Sequence, residues 1–174
     1  ASGQIRGRAK IDLETFGLQS IFGQVLEIGN AHLRRMTGGR YALHLADDAG
    51  QASARGLELE VADHHVGGAR RPARTLSGGE GFLAALALAL GLSESARRAS
   101  GGLELGALFV DEGFGSLDEA ALDRVVGILR SLPASEDRMV GVITHVEELK
   151  RRIPTQLLVV PSETGSRIEM RTNA

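Results

Sequence analysis

Two short apolar runs, each ending in polar chemistry, constrain this chain most: "ALFVDE" at residues 107–112 and "MVGVITH" at 139–145. Both run through apolar residues without polar alternation, the pattern of buried strands. Between them "SLDEAALDRVVGILRSL" (116–132) repeats its apolar residues at helical spacing. A strand, a helix and a second strand in that order imply an α/β core with a largely parallel sheet. In such sheets ligands gather at the carboxyl ends of the strands, where Asp111, Glu112 and His145 stand.

Upstream, residues 12–36 carry Phe16, Ile21, Phe22, Val25, Ile28, Leu33 and Met36 roughly three to four apart, predicting a helix that Gly38 and Gly39 stop. Tyr41, Leu43 and Leu45 then recur with period two on one face, and Leu57, Leu59 and Val61 answer them against Glu58 and Glu60. The two runs predict an antiparallel hairpin joined by the turn-rich "DAGQASARG" at 48–56. "DHHVGGARRPART" (63–75) reads as a loop, residues 77 onward as a helix, and "SESARRASGG" (93–102) as its interruption. "VEELKRR" (146–152) reads as a short helix, with "TQLLVV" (155–160) and "SRIEMR" (166–171) as closing strands.

The 174 residues suffice for one compact domain with a buried core, and 43% hydrophobic with 24% charged residues is ordinary for a globular protein. No run has the length and apolarity of a bilayer span, and the N-terminus lacks a secretory pattern. The absence of cysteine excludes disulfides and thiolate metal sites and suits a cytoplasmic setting. A net charge of −2 confines any nucleic-acid contact to a local patch. The missing initiator Met suggests a fragment or processed chain.

Three places carry candidate chemistry. Ser77, Gly78, Gly79 and Glu80 directly precede an apolar helix. Paired glycines weaken a helix interior but suit its start, where unpaired N–H groups and the positive dipole end favour an anion. Asp111 and Glu112, at a strand end, are placed to hold Mg²⁺ and to orient an attacking water. The alternative is an acidic helix cap, with Ser116 as N-cap and Glu119 in the first turn. His145 ends the second strand at the same sheet edge, or serves as an ordinary loop residue, and Glu147 and Glu148 suit the first turn of the next helix.

Taken in order, "LSGGE", "ALFVDE", "GSLD" and "ITH" resemble the signature motif, Walker B strand, D-loop and switch histidine of an ABC-type ATPase head. The flanks "EIGNAHLRRMTGGRYAL", "TLSGGEGFLAALALALGLSE" and "GVITHVEELKRRIP" resemble the SbcC family of SMC-related DNA-repair ATPases, and the likeness runs from about Asp12 to Arg171. It implies the C-terminal lobe of an ABC/SMC-type head over residues 37–174, preceded over residues 1–36 by the end of a coiled-coil helix. Asp111 would help hold Mg²⁺ through water, Glu112 would act as general base, and His145 would contact the γ-phosphate. Ser77, Gly78, Gly79 and Glu80 would meet the γ-phosphate of ATP held by an opposing head, with Asp118 reaching across that interface. Gly81 departs from the bulkier or polar residue usual after the signature, loosening the first helical turn without removing a phosphate ligand.

No G-x-x-x-x-G-K-[ST] occurs; neither Lys10 nor Lys150 has the required neighbours. The resemblance therefore implies an N-terminal lobe supplying Walker A, a second head in an ATP-dependent dimer, an SbcD-type nuclease and double-stranded DNA as partners, and no membrane. This chain alone would be inactive as an ATPase. Arg70, Arg71 and Arg74 are candidate DNA-phosphate contacts, or solvated surface charges. Arg34, Arg35 and Arg40 stand near the coil–head junction, and Phe16, Ile21 and Phe22 could face a coil partner or the core. Other readings are the head lobe of another ABC/SMC-type ATPase and an inactive scaffold that keeps the fold.

Overall fold

The computed structural model describes residues 13–46, 58–101, 106–136, 139–162 and 165–172. The chain forms two compact units, Ala1–Gly106 and Ala107–Ala174.

In the first unit, helix α1 (Leu13–Met36) packs along helix α2 (Gly78–Ala99). Val25, Leu26, Leu33 and Met36 of α1 are buried, as are Leu83, Leu86, Ala87 and Leu90 of α2. Toward the start of α1 the stripe is open, with Ile21 and Leu18 exposed. The helices meet backbone to backbone at Gly91, where a Cβ would lie 2.4 Å from the Val25 carbonyl oxygen and 2.8 Å from the Gly29 nitrogen. Gly38 and Gly39, both with left-handed φ, stop α1 as the sequence implies.

Strand β1 (Tyr41–Leu45) pairs antiparallel with β2 (Leu59–Asp63), Tyr41 opposite Asp63 and Leu43 opposite Val61. The 48–56 connection lies outside the described residues. The free edge of β1 is met by Asn30 of α1, whose amide donates to the Leu43 carbonyl at 2.8 Å and accepts from the Leu43 N–H at 2.7 Å. A side-chain amide thus completes the edge as another strand would.

Two expectations are corrected here. The 63–75 stretch is more than a loop: β3 (Ala69–Pro72) adds antiparallel to β2 as an edge strand. Its Arg-Arg-Pro sequence lacks alternation because main-chain bonds to one neighbour hold it, and Pro is tolerated at an edge. Residues 93–99 continue α2 without interruption, burying Ser93 and Ser95. Arg97 and Arg98 sit favourably in the last turn, and Arg98 pairs with Glu94 one turn earlier.

In the second unit, β4 (Ala107–Asp111) and β5 (Met139–Ile143) pair in parallel, Ala107 opposite Met139 and Asp111 opposite Ile143. They are the parallel pair among the described residues; the other strands pair antiparallel. Helix α3 (Glu119–Glu136) buries Leu122, Val125, Val126, Leu129 and Leu132. Its cap is Asp118, whose carboxylate accepts from Ala121 N at 2.7 Å, and not Ser116, whose hydroxyl donates to the Gly113 carbonyl. The shorter path from Asp118 to the orphan amides decides it. Helix α4 (Glu147–Arg152) is tied to α3 by Arg152, which donates to Glu148 and Asp123. Strands β6 (Thr155–Ser162) and β7 (Gly165–Thr172) close the unit as an antiparallel hairpin.

The buried-strand expectation holds for one face of the β4–β5 pair. Val110 is buried, but Phe109, Met139 and Ile143 on the other face are 64%, 61% and 55% exposed. On the hairpin, Leu157 pairs with Met170 and Val159 with Ile168, and all four are exposed.

Gly91→Ala should destabilise the first unit by about 1–3 kcal/mol in denaturant titration, because main-chain atoms cannot yield to the new methyl. Gly23→Ala, at an exposed α1 position with open space around it, should instead stabilise by about 0.5–1 kcal/mol. Equal effects of the two would mean that the helix crossing is not close-packed.

Candidate functional site

At the carboxyl end of the parallel pair, β4 delivers Asp111 opposite Ile143. The next amide, Glu112 N, still donates to the Ile143 carbonyl at 3.0 Å. Glu112 then takes φ 57°, the one described non-glycine residue with positive φ, and Gly113 follows at φ 93°. Such backbone costs a residue with a Cβ about 1–2 kcal/mol and persists only where its surroundings hold it. Buried Phe114 anchors the following turn, and Leu117 N donates to the Phe114 carbonyl.

The turn aims the Glu112 carboxylate at His145, with Nδ1 2.8 Å from Oε2. His145 leaves the end of β5 through a turn in which Val146 N donates to Thr144 Oγ1 at 3.1 Å. Parallel pairing therefore brings Asp111, Glu112 and His145 to one strand end, where Glu112 and His145 are in contact. With a proton on Nδ1, the imidazole donates to Oε2 and leaves Oε1 able to accept a proton from water. Glu112 and His145 are solvent-accessible, as groups meeting an external substrate must be.

Among the described residues, no group of three or more His, Cys, Asp and Glu side chains could by itself cage a metal ion. Exposed Asp111 instead suits Mg²⁺, which keeps several waters and is held by one or two carboxylates plus phosphate oxygens. Asp118 stands at the start of α3 with one oxygen engaged in capping.

In the first unit, Ser77 is the N-cap of α2. Its Oγ accepts from Glu80 N at 3.4 Å, while Glu80 Oε2 accepts from Ser77 N at 3.0 Å, a reciprocal capping box. The first helical bond runs from Gly81 N to the Ser77 carbonyl, so the Gly78 and Gly79 amides precede the helical ladder. The Ser77 oxygen is used here as an acceptor, so its O–H remains a donor.

Glu80 has further partners that sequence reading did not reveal. Its Oε1 accepts a hydrogen bond from the Tyr41 hydroxyl, and Arg40 and Arg71 approach the carboxylate at 3.9 and 3.8 Å. Arg40 also holds buried Asp63 through Nε and Nη2, and its guanidinium lies 4.6 Å from the Tyr41 ring centre. Alternation placed Tyr41 on the buried face, and a buried phenol needs a partner for its hydroxyl. Nothing in the sequence named a residue 39 positions away. Arg70 and Arg71 lie on β3 and Arg74 in the turn after it; Arg71 faces Glu80 and Thr75.

The Tyr41 hydrogen bond holds the Glu80 carboxyl below its ordinary value, and the Arg40 hydrogen bonds do the same for Asp63. Burial, seconded by the Glu80 hydrogen bond, pushes the Tyr41 phenol up to about 12. Among the described residues no helix is long and apolar enough to cross a membrane.

Residues 53–131 match the family model described as SbcC/RAD50-like, Walker B motif. The SbcC subunit of the nuclease SbcCD from Treponema pallidum is 45% identical over 160 residues, which cover 91% of this chain and 15% of that protein. Its counterpart from Staphylococcus haemolyticus is 42% identical over 164 residues, covering 94% and 16%. The chain thus spans about a sixth of the length of these relatives. Among solved structures, an SMC ATPase described for ATP-driven dimerization and DNA-stimulated activation superposes with a TM-score of 0.70 at 16% identity, covering 91% of this chain and 89% of that one. An Smc head domain from Pyrococcus furiosus, with an extended coiled coil and bound to the C-terminal domain of ScpA, gives 0.62 at 16%, covering 91% and 37%. At such identities the structural likeness is one of fold.

Two outcomes test this geometry. Glu112→Gly should stabilise the second unit by about 1 kcal/mol, by releasing left-handed strain, while Glu112→Gln leaves stability nearly unchanged; a destabilised Glu112→Gly in urea titration would refute the strain. For pH, carboxylates held low contribute stability above their ordinary range that is lost as pH falls through it, here below about 4.5 for Glu80. Tyr41, held high, contributes stability that is lost as pH rises from 10.0 toward about 12. Melting temperature against pH should show both limbs, and Tyr41→Phe should weaken both.

Proposed function

The chain belongs to the SbcC/RAD50-like family and has the fold of SMC ATPase heads, and from that premise we propose that it is the C-terminal lobe of an ATP-hydrolysing head. The observation that carries this reading is the Glu112–His145 contact at the carboxyl end of the parallel strands. In this reading residues 1–36 are the end of a coiled-coil helix and residues 37–174 the lobe, and an N-terminal lobe supplies the Walker A loop that the 174 residues lack. The open apolar faces of β4–β5 and of the β6–β7 hairpin are what a lobe sharing its sheet with another lobe would present.

Bound Mg-ATP supplies the γ-phosphoryl group whose transfer to water is the reaction. Asp111 would help hold Mg²⁺ through water. Glu112 Oε1 accepts the proton of the attacking water, and His145 holds Oε2 so that the carboxylate keeps its orientation. The strained turn fixes the base before substrate arrives, which saves reorganisation in the reactive complex. Ser77 and the Gly78 and Gly79 amides offer donors to the γ-phosphate of a nucleotide carried by an opposing head, with Glu80 fixing that helix start and Asp118 reaching across the interface. Closing two heads through nucleotide would then gate double-stranded DNA for an SbcD-type nuclease in the cytoplasm. Arg70, Arg71 and Arg74 would make DNA-phosphate contacts that weaken steeply with salt.

Intact Asp111, Glu112 and His145, brought to one strand end, favour this reading over an inactive scaffold. Mg-dependent ATP turnover should be absent from this chain alone and appear on mixing with a Walker A lobe. Glu112→Gln should reduce it by about 10²-fold or more, and His145→Ala by about 10–10²-fold. A well-formed complex without turnover would favour the scaffold. Turnover by the isolated chain that Glu112→Gln leaves unchanged would refute the composite site.

A further inference from the structure

We propose that Tyr41 and Arg40 are positioning residues for the phosphate-facing start of α2, acting through Glu80. The inference rests on the reading of Ser77, Gly78 and Gly79 given above.

A capping box is self-contained. Its two side chains, three residues apart, satisfy each other's amides and need no third party. Here the glutamate has a second obligation. Oε2 closes the box on Ser77 N, while Oε1 is held by the Tyr41 hydroxyl from a different element, with Arg40 Nη1 3.9 Å away. The carboxylate is therefore a bridge between strand β1 and the first turn of α2, and its plane is set from both ends.

The far end of the bridge is itself held. The Tyr41 ring is buried, with 5% of the residue exposed, and its amide donates to Thr37 Oγ1 at 3.3 Å. Arg40 is pinned by two-point bonding to Asp63, which is 4% exposed and also accepts from His65 N at 3.0 Å. The arginine stacks on the Tyr41 ring, so neither group can swing without breaking contacts to β2. Residues 37–41, where α1 ends and β1 begins, therefore control the direction in which the Ser77 hydroxyl and the Gly78 and Gly79 amides point. A glutamate held only by Ser77 would have solvent-facing rotamers open to it, and the donors at the helix start would spread over several directions. Donors that must meet a phosphate on an opposing head lose affinity when they are not preorganised.

The test uses the assembled head, this chain together with its Walker A lobe, and compares wild type, Tyr41→Phe, Glu80→Gln and the double variant. Tyr41→Phe keeps the ring and its burial and removes only the hydroxyl. Affinity of the head for ATP should stay within about twofold, whereas ATP-dependent head dimerisation should weaken about tenfold. Glu80→Gln should weaken dimerisation comparably, and the double variant should be about as weak as the worse single one, since both act through one carboxylate. Hydrogen exchange should rise about tenfold at Ser77, Glu80 and Gly81, with residues 82–99 unchanged.

Tyr41→Phe heads that dimerise like wild type, or losses that multiply in the double variant, would overturn the inference. A general loss of fold would lower ATP affinity and raise exchange along all of α2, and would equally overturn it. If wild-type heads do not dimerise with ATP, the parent reading of the helix start fails and takes the phosphate-facing role with it. Unchanged exchange at Ser77, Glu80 and Gly81 would separately show that Tyr41 does not hold that start.

Discussion

The parallel pairing of β4 with β5 is the constraint on which the candidate site depends. In a parallel pair both strands end on the same side, so Asp111 and Ile143 finish level and the residues after them leave together. The bond from Glu112 N to the Ile143 carbonyl carries the ladder one step past the strand. A register slip of one residue would turn Val110 to the open face and bring Asp111 toward α3, so burial specifies the pairing strongly. The turn that follows spends that stability on an unfavourable φ at Glu112, and the result is a carboxylate already set against an imidazole. A helix cap alone would not need that strain. The capping here is done by Asp118, six residues later.

The first unit reaches a comparable precision by different means. Its helices cross where glycine allows main chain to touch main chain, and Asn30 then fastens β1 to α1 through both of its amide groups. With β1 so placed, Tyr41 and Arg40 converge on Glu80 from outside α2. Each polar group buried in this sequence of contacts has a partner: Asp63 has Arg40 and the His65 amide, and Tyr41 has Glu80. Both units thus carry a carboxylate whose direction is fixed by a residue far away in sequence, His145 for Glu112 and Tyr41 for Glu80.

Much of this was legible beforehand. The period of the apolar residues implied α1, the β1–β2 hairpin, the strand–helix–strand order and the two closing strands. Asp111, Glu112 and His145 could be placed at strand ends, because alternation and run length report burial directly. What failed was what burial patterns do not encode. Strand β3 lacks an apolar face and is held by main-chain bonds to one neighbour, so its sequence resembled a loop. Residues 93–99 looked like a break because serines favour turns, yet small polar side chains can be buried within a helix once the rest of it is fixed by packing. Ser116 was the expected cap, yet Asp118 takes that place, because the path of the preceding turn decides which side chain reaches the first amides.

By itself the sequence determined the order of the elements, the faces they bury and the identity of the chemical groups at the strand ends and at the start of α2. These follow from local periodicity, backbone preferences and the ordered motifs. Tertiary structure alone decided the direction of those groups. The 2.8 Å approach of His145 to Glu112, the left-handed backbone at Glu112 and the hold of Tyr41 on Glu80 each join residues far apart in the chain or impose a conformation the residue would not choose alone. Local sequence states which groups are available, but a contact across 33 or 39 positions exists only after the intervening chain has folded.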